Sequence, residues 1–285
     1  MTAPDGVVTH VPHAFVRTPE GWERIEATGW GPFITRATFR TPQGEVVTWE
    51  SRAHRKRHTG DAGTGSIWWA PRALAWWIGV LFMIGSTCFA LGALPGYLDA
   101  VGVDTDNLTF FVGSLFFTSA AVLQYVEVVR TRETFGLPAS GTRRTALWQP
   151  HRIDWWASIV QLVGTLYFNV STGFAFFAAL DTAQSNRLIW RPDALGSICF
   201  LVASGLAWAE VAHGLFRRAR GLSGWIAFLN LMGSVAFGVS AVASYLTPDS
   251  GEPRNVELVN LGTFVGALCF LVGAALLLPE RAQTE

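Results

Sequence analysis

The sequence predicts an all-α integral membrane protein: six transmembrane helices arranged as three parallel helical hairpins, behind a small N-terminal segment of β-hairpin character. Three observations predict it. A Gly followed by a small residue, two variable positions and a Phe occurs six times, each time within an apolar stretch long enough to cross a bilayer as a helix. Positive charge collects in alternate loops. The six copies also fall into pairs: the first, third and fifth have a Trp eight residues before the Gly, and the second, fourth and sixth have a Glu fourteen residues after it. Composition agrees, with 50% hydrophobic and 15% charged residues, 29 Gly and 13 Trp, and a formal net charge of zero that offers no field for nucleic acid.

Residues 1–66 form the N-terminal cytoplasmic segment and its linker. Arg17-Thr18-Pro19-Glu20-Gly21 and Arg40-Thr41-Pro42-Gln43-Gly44 are turn signals, and the second joins Ile34–Phe39 to Val46–Trp49 as a β-hairpin. A piece this small lacks a core of its own and is expected to lean on the membrane domain. His10 and His13 read as tail, and Thr59–Ser66 as a Gly-rich linker. The start of the chain has no apolar core, so no cleavable signal peptide is expected. The run His54-Arg55-Lys56-Arg57-His58 reads as the topogenic flank of the first span, with a nucleic-acid or anionic-lipid patch as the sharper alternative.

The first hairpin, residues 67–134, carries the motif at Gly85–Phe89 and Gly113–Phe117; the second, 147–218, at Gly164–Phe168 and Gly196–Phe200; the third, 222–285, at Gly233–Phe237 and Gly266–Phe270. Trp77, Trp156 and Trp225 mark where the hairpins begin, and Glu127, Glu210 and Glu280 where they end. The fourth span is expected to start near Pro192, an accepted first-turn position. Arg52, Arg55, Lys56, Arg57 and Arg72 precede the first span. Arg130, Arg132, Arg143, Arg144 and Arg152 follow the second, and Arg217, Arg218 and Arg220 the fourth. The intervening loops are richer in acid, so the positive-inside rule puts both termini in the cytoplasm and the protein in the plasma membrane.

On a helix, positions 0, +4, +7 and +14 share one stripe. Gly85, Gly113, Gly164, Gly196, Gly233 and Gly266 therefore read as packing positions, where small residues let backbones approach in a solvent that gives helices no hydrophobic reason to associate. Cys88, Cys199 and Cys269 occupy the same motif position with no metal spacing, so they read as small filler and no disulfide is expected.

The same stripe carries the chemistry. Glu127, Glu210 and Glu280 lie on it at +14, at helix ends whose dipole disfavours them, and need a compensating charge. Arg130, Arg217 or Arg281 is the plain source and a bound cation the alternative. His151 and Asp154, and Glu210 and His213, are pairs three apart at one membrane level, a spacing that suits a metal. Gln161, Asn169, Asn230 and Asn260 are polar within the spans, where they bond between helices or line a pocket. No buried acid–base pair suggests strong proton coupling, and Lys56, outside the spans, excludes a retinal Schiff base.

The hairpin unit resembles the YrhK-like family, uncharacterised membrane domains with a two-helix core. The matching residues are the G-S-x-x-F copies, clearest in Phe110-Phe111-Val112-Gly113-Ser114-Leu115-Phe116-Phe117 with Gln124 and Glu127 downstream. The resemblance covers Trp76 to Leu278 as three diverged units and implies a multi-pass bacterial membrane protein with no catalytic residues to carry over.

The P-loop, zincin, nucleophile-elbow and dinucleotide motifs are missing, so neither an enzyme nor a cofactor is expected. Two functions fit. One is a scaffold or sensor whose residues 1–60 meet a cytoplasmic protein partner; the other is a small cation or solute permease with a carboxylate collar.

Overall fold

The computed structural model describes residues 18, 20–59, 68–131 and 147–282. His10 and His13, most of the Thr59–Ser66 linker, Arg132, Arg143 and Arg144, and the side chain of Arg281 lie outside the described residues.

The N-terminal segment is an antiparallel meander of three strands, β1 (Glu23–Trp30), β2 (Phe33–Arg40) and β3 (Val46–Glu50): β2 and β3 form the expected hairpin and β1 adds a third strand to it. β2 supplies its core through Thr35, Ala37 and Phe39, each at most 1% exposed. Gly44 (φ 86°) turns the chain from β2 into β3, in the left-handed region that glycine enters without strain. β1 escapes the sequence pattern because it is an edge strand: its first four residues are exposed and Ile25 is solvent-facing. β3 runs directly into a helix, α1 (Ser51–Thr59), where the sequence suggested only a basic flank.

The membrane domain follows. The first hairpin is α2 (Leu74–Gly92), a short connecting α3 (Pro95–Val101) and α4 (Val103–Arg130). The second is α5 (Ile153–Phe177), a single turn α6 (Thr182–Ser185), a π-helical turn Asn186–Trp190, and α7 (Arg191–Ala212). The third is α8 (Gly221–Ala243) and α9 (Val256–Ala282). Among the described residues six helical stretches are long and apolar enough to span a bilayer. The fourth runs without a break from Thr182 and begins about ten residues before Pro192. A capping box between Asp181 and Gln184 starts it there, and the π turn carries the helix into Pro192, which has no N–H to give.

The six spans close into a ring. α2 packs on α4, α4 on α5, α5 on α7, α7 on α8, α8 on α9, and α9 returns to α2. Within each hairpin the two motif glycines face one another. A Cβ added at Gly85 would lie 2.9 Å from the Gly113 carbonyl oxygen, one at Gly196 3.1 Å from that of Gly164, and one at Gly233 3.0 Å from that of Gly266. Any larger residue must part the pair.

The motif phenylalanines fill the ring's axis. Phe89, Phe168 and Phe237 form one triangle, with ring centroids 6.3, 5.9 and 6.1 Å apart. Phe117, Phe200 and Phe270 form a second at 6.1, 6.1 and 5.7 Å. Each hairpin ties one triangle to the other through Phe89–Phe117, Phe168–Phe200 and Phe237–Phe270 at 5.1–5.4 Å. The six rings make a trigonal prism, and most of its contacts are edge-to-face, the arrangement the ring quadrupole favours. The two triangles separate because α2, α5 and α8 run opposite to α4, α7 and α9, so +4 from the Gly points to opposite ends of the bundle.

Candidate functional site

At the end of the bundle nearest the sheet, the Glu column meets α1. Ser51, Arg52, Arg55 and Lys56 share one face of that helix, at spacings of three and four residues. Arg52 donates from Nε and Nη2 to Glu280 at 2.7 and 3.0 Å. Arg55 donates from Nη1 and Nη2 to Glu210 at 3.0 and 3.2 Å, bonds Asp154 from Nη1, and has Nε 3.7 Å from Glu127. Lys56 Nζ lies 3.0 Å from Glu127. Hydroxyls complete the acceptors' shells: Ser51 donates to Glu210 and Ser223 to Glu280, both at 2.6 Å. Asp154 also receives Arg152, whose guanidinium further binds the Val128 and Thr131 carbonyls. Glu127, Asp154, Glu210 and Glu280 are 1–6% exposed, so this is a buried network of four carboxylates against Arg52, Arg55, Lys56 and Arg152.

Burial by itself would lower the Arg55 pKa, but the charges of Glu210 and Asp154 outweigh it and hold the guanidinium well above its ordinary value. Arg52 behaves likewise through Glu280. Both stay cationic at every accessible pH. The compensating charge therefore comes from α1 and Arg152, and not from Arg130 or Arg217 as the sequence suggested. Its signal was present: on a helix, Arg52, Arg55 and Lys56 fall together, but an unrecognised helix made them a mere flank.

The candidate metal ligands do not assemble. Among the described residues no three His, Cys, Asp or Glu side chains come together as a metal-holding group. Glu127, Asp154 and Glu210 converge, but on the Arg55 guanidinium. His151 joins no such group. His213 instead ends α7 in the left-handed conformation (φ 53°) and reaches the sheet, its Nδ1 2.9 Å from Thr35 Oγ1 and its Nε2 3.8 Å from Glu50. Burial pushes its pKa below the usual imidazole value, against the opposing pull of Glu50. This contact, with α1, anchors the sheet to the second hairpin.

Between α1 and the Phe prism lies a cavity of about 80 Å³, space for several waters or a small solute. Glu127, Asp154 and Glu210 form its charged roof, and Phe82, Phe200 and Phe270 line it from the apolar side. Gln161 and Asn230, both three residues before a motif Gly, line it together with Gln124. None of these three carboxamides bonds a described residue. Asn169 and Asn260 are not on this wall; Asn169 Oδ1 is buried without a partner among the described residues.

A second repeated feature went unread in the sequence: Trp69-Ala70-Pro71 before Trp76-Trp77 and Trp148-Gln149-Pro150 before Trp155-Trp156. Trp76 Nε1 donates to the Trp68 carbonyl and Trp155 Nε1 to that of Leu147, while Trp77 and Trp156 cap the Pro71 and Pro150 carbonyls, all at 2.8–2.9 Å. The first and third spans thus begin alike, and comparing their leading segments at a spacing of 79 residues would have found it.

Fold and site together define a multi-pass membrane protein, a ring of three helical hairpins closed at one end by a charge-paired helix. No family model, curated protein or solved structure matches the chain.

Proposed function

We propose that the protein is a non-enzymatic membrane scaffold or sensor of the bacterial plasma membrane, YrhK-like in its hairpin unit. In this reading the sheet end is cytoplasmic and presents β1–β3 to a protein partner. One observation carries it: Glu127, Glu210 and Glu280 are each held by a cation of α1. A collar whose charges are already paired offers a passing cation little, and the Phe prism fills the axis beneath it. What the arrangement offers instead is a docked module whose release would be coupled to the bundle's state. The permease reading keeps one supporting observation, the three carboxamides facing the cavity.

Flux in proteoliposomes separates the two. The scaffold predicts no rubidium or sodium flux above empty liposomes from the full chain, nor from the variant with Ala at Glu127, Glu210 and Glu280. Flux that depends on those three Glu would overturn it. Protease accessibility of the N-terminal segment in sealed inside-out vesicles tests the orientation.

A further inference from the structure

The position three residues before each motif Gly is Phe82 and Phe110 in the first hairpin but Gln161, Asp193, Asn230 and Thr263 in the other two. On α2, α5 and α8 this position lines the cavity under α1. On α7 and α9 it lines a second cavity, beyond the Phe prism towards the opposite end of the bundle. That cavity, about 30 Å³, is lined by Phe89, Phe168 and Phe237 and by Asp193, Ser197, Ser240 and Thr263. Asp193 lies seventeen residues, about 25 Å of helix, from Glu210, on the membrane-spanning stretch Thr182–Ala212.

Asp193 makes no hydrogen bond or ion pair with any described residue. Ser197, one turn on along the same helix, is 3% exposed, lines the cavity, and bonds no described residue either. Ser240 donates its proton to the Val259 carbonyl at 2.9 Å, so Thr263, 2.8 Å away, supplies the proton between the two hydroxyls and keeps its own lone pairs as acceptors. The helix is continuous from Thr182, so Asp193 does not sit at a free N-terminus, and the π turn ending at Trp190 sets the rotation that brings it to the axis.

We propose that this cavity binds a single monovalent cation of sodium size, coordinated by the Asp193 carboxylate and the hydroxyl oxygens of Ser197 and Thr263. The donors are all hard oxygens, which suits an alkali or alkaline-earth ion and not a soft metal. One carboxylate balances one positive charge, so a divalent ion would leave an excess charge in an apolar surround. The room admits one ion with about one or two waters. An acid on a membrane-spanning stretch, which function normally explains, thereby gains the partner that no described residue supplies. The site is independent of the scaffold reading: it concerns binding, which is measured without flux.

The test is equilibrium binding of radiolabelled sodium to the purified full chain in nanodiscs, with choline chloride holding ionic strength constant. The expected result is saturable binding of one ion per chain, weakened at least about tenfold in Asp193→Asn and measurably in Ser197→Ala. Asp104→Asn, at an exposed acid outside the cavity lining, should bind as the parent chain does. Should Asp193→Asn lose its monodisperse elution, Ser197→Ala and Thr263→Val make the same comparison. Absence of saturable sodium binding between pH 6 and 8.5 would overturn the proposal. Binding unchanged in all three cavity variants would overturn it equally.

Discussion

Arg55 is the residue on which the sheet end turns, and Arg55→Met is the substitution that probes it. The guanidinium is 5% exposed and touches Glu210 by two hydrogen bonds, Asp154 by one and Glu127 at 3.7 Å. At 3.0–3.7 Å and an effective dielectric of about 20, each contact is worth roughly 4.5–5.5 kcal/mol before desolvation is charged against it. Removing one partner of a buried pair typically costs about 3–5 kcal/mol, because the other charge stays buried and uncompensated. Here each carboxylate keeps another donor: Ser51 for Glu210, Arg152 for Asp154 and Lys56 for Glu127. The loss should therefore fall at the lower end, about 3 kcal/mol. Glu210→Gln added to Arg55→Met should recover about 1–2 kcal/mol, since it neutralises the acceptor that loses two bonds. Equilibrium unfolding in mixed micelles reads both values. A loss below about 1 kcal/mol, or no recovery in the double variant, would refute the reasoning.

Other predictions follow from the packing and from His213. Gly164→Leu places a Cβ 2.8 Å from the Phe200 ring and 2.9 Å from Cys199 Cβ, so the second hairpin must part and the monodisperse yield on size exclusion should collapse, with Gly164→Ala milder at about 1–3 kcal/mol. Phe117→Ala opens a void within the prism; with lipid as apolar as the core, the cavity cost alone remains, about 2 kcal/mol for roughly 100 Å³, checked by the same unfolding measurement. The His213 pKa is lowered by burial, so the folded chain favours the neutral ring. Stability of the sheet's docking is full above the unfolded pKa near 6.5 and falls as pH drops through the lowered folded value. Protection factors of the β2 amides, which refer exchange to its intrinsic rate at each pH, should thus fall between pH 7.5 and 5.5, and His213→Gln should flatten that dependence.

Much of this architecture was legible. Six apolar runs, the Gly–Phe register and the Trp/Glu alternation foretell six spans in three hairpins, because a bilayer admits few alternatives to helices of fixed length. The register even points the Glu column at one end of the bundle. What fills that end was not legible, because Arg52, Arg55 and Lys56 are far in sequence from the acids they meet and a basic run before a first span has an ordinary topogenic meaning. Asp193 was hidden by an adjacent Pro192, which suggests a helix start and hence a harmless interfacial acid; only a π turn, invisible to periodicity, carries the helix past it. The His151, Asp154, Glu210 and His213 spacings fit a metal equally well on paper, but His213 is drawn to Thr35 of a sheet whose position no local pattern encodes.

α1 closes the sheet end by pairing its cations with the hairpin glutamates. Charge reversal across one pair tests it most directly. Hydrogen exchange of the Ser51–Thr59 amides is measured in the parent chain, in Lys56→Glu, in Glu127→Lys and in the doubly reversed variant. Paired charges predict that each single reversal speeds exchange by at least about tenfold, the equivalent of about 1.4 kcal/mol, and that reversing both restores slow exchange. Exchange in α1 that is fast in the parent chain, or indifferent to all three variants, would contradict the account.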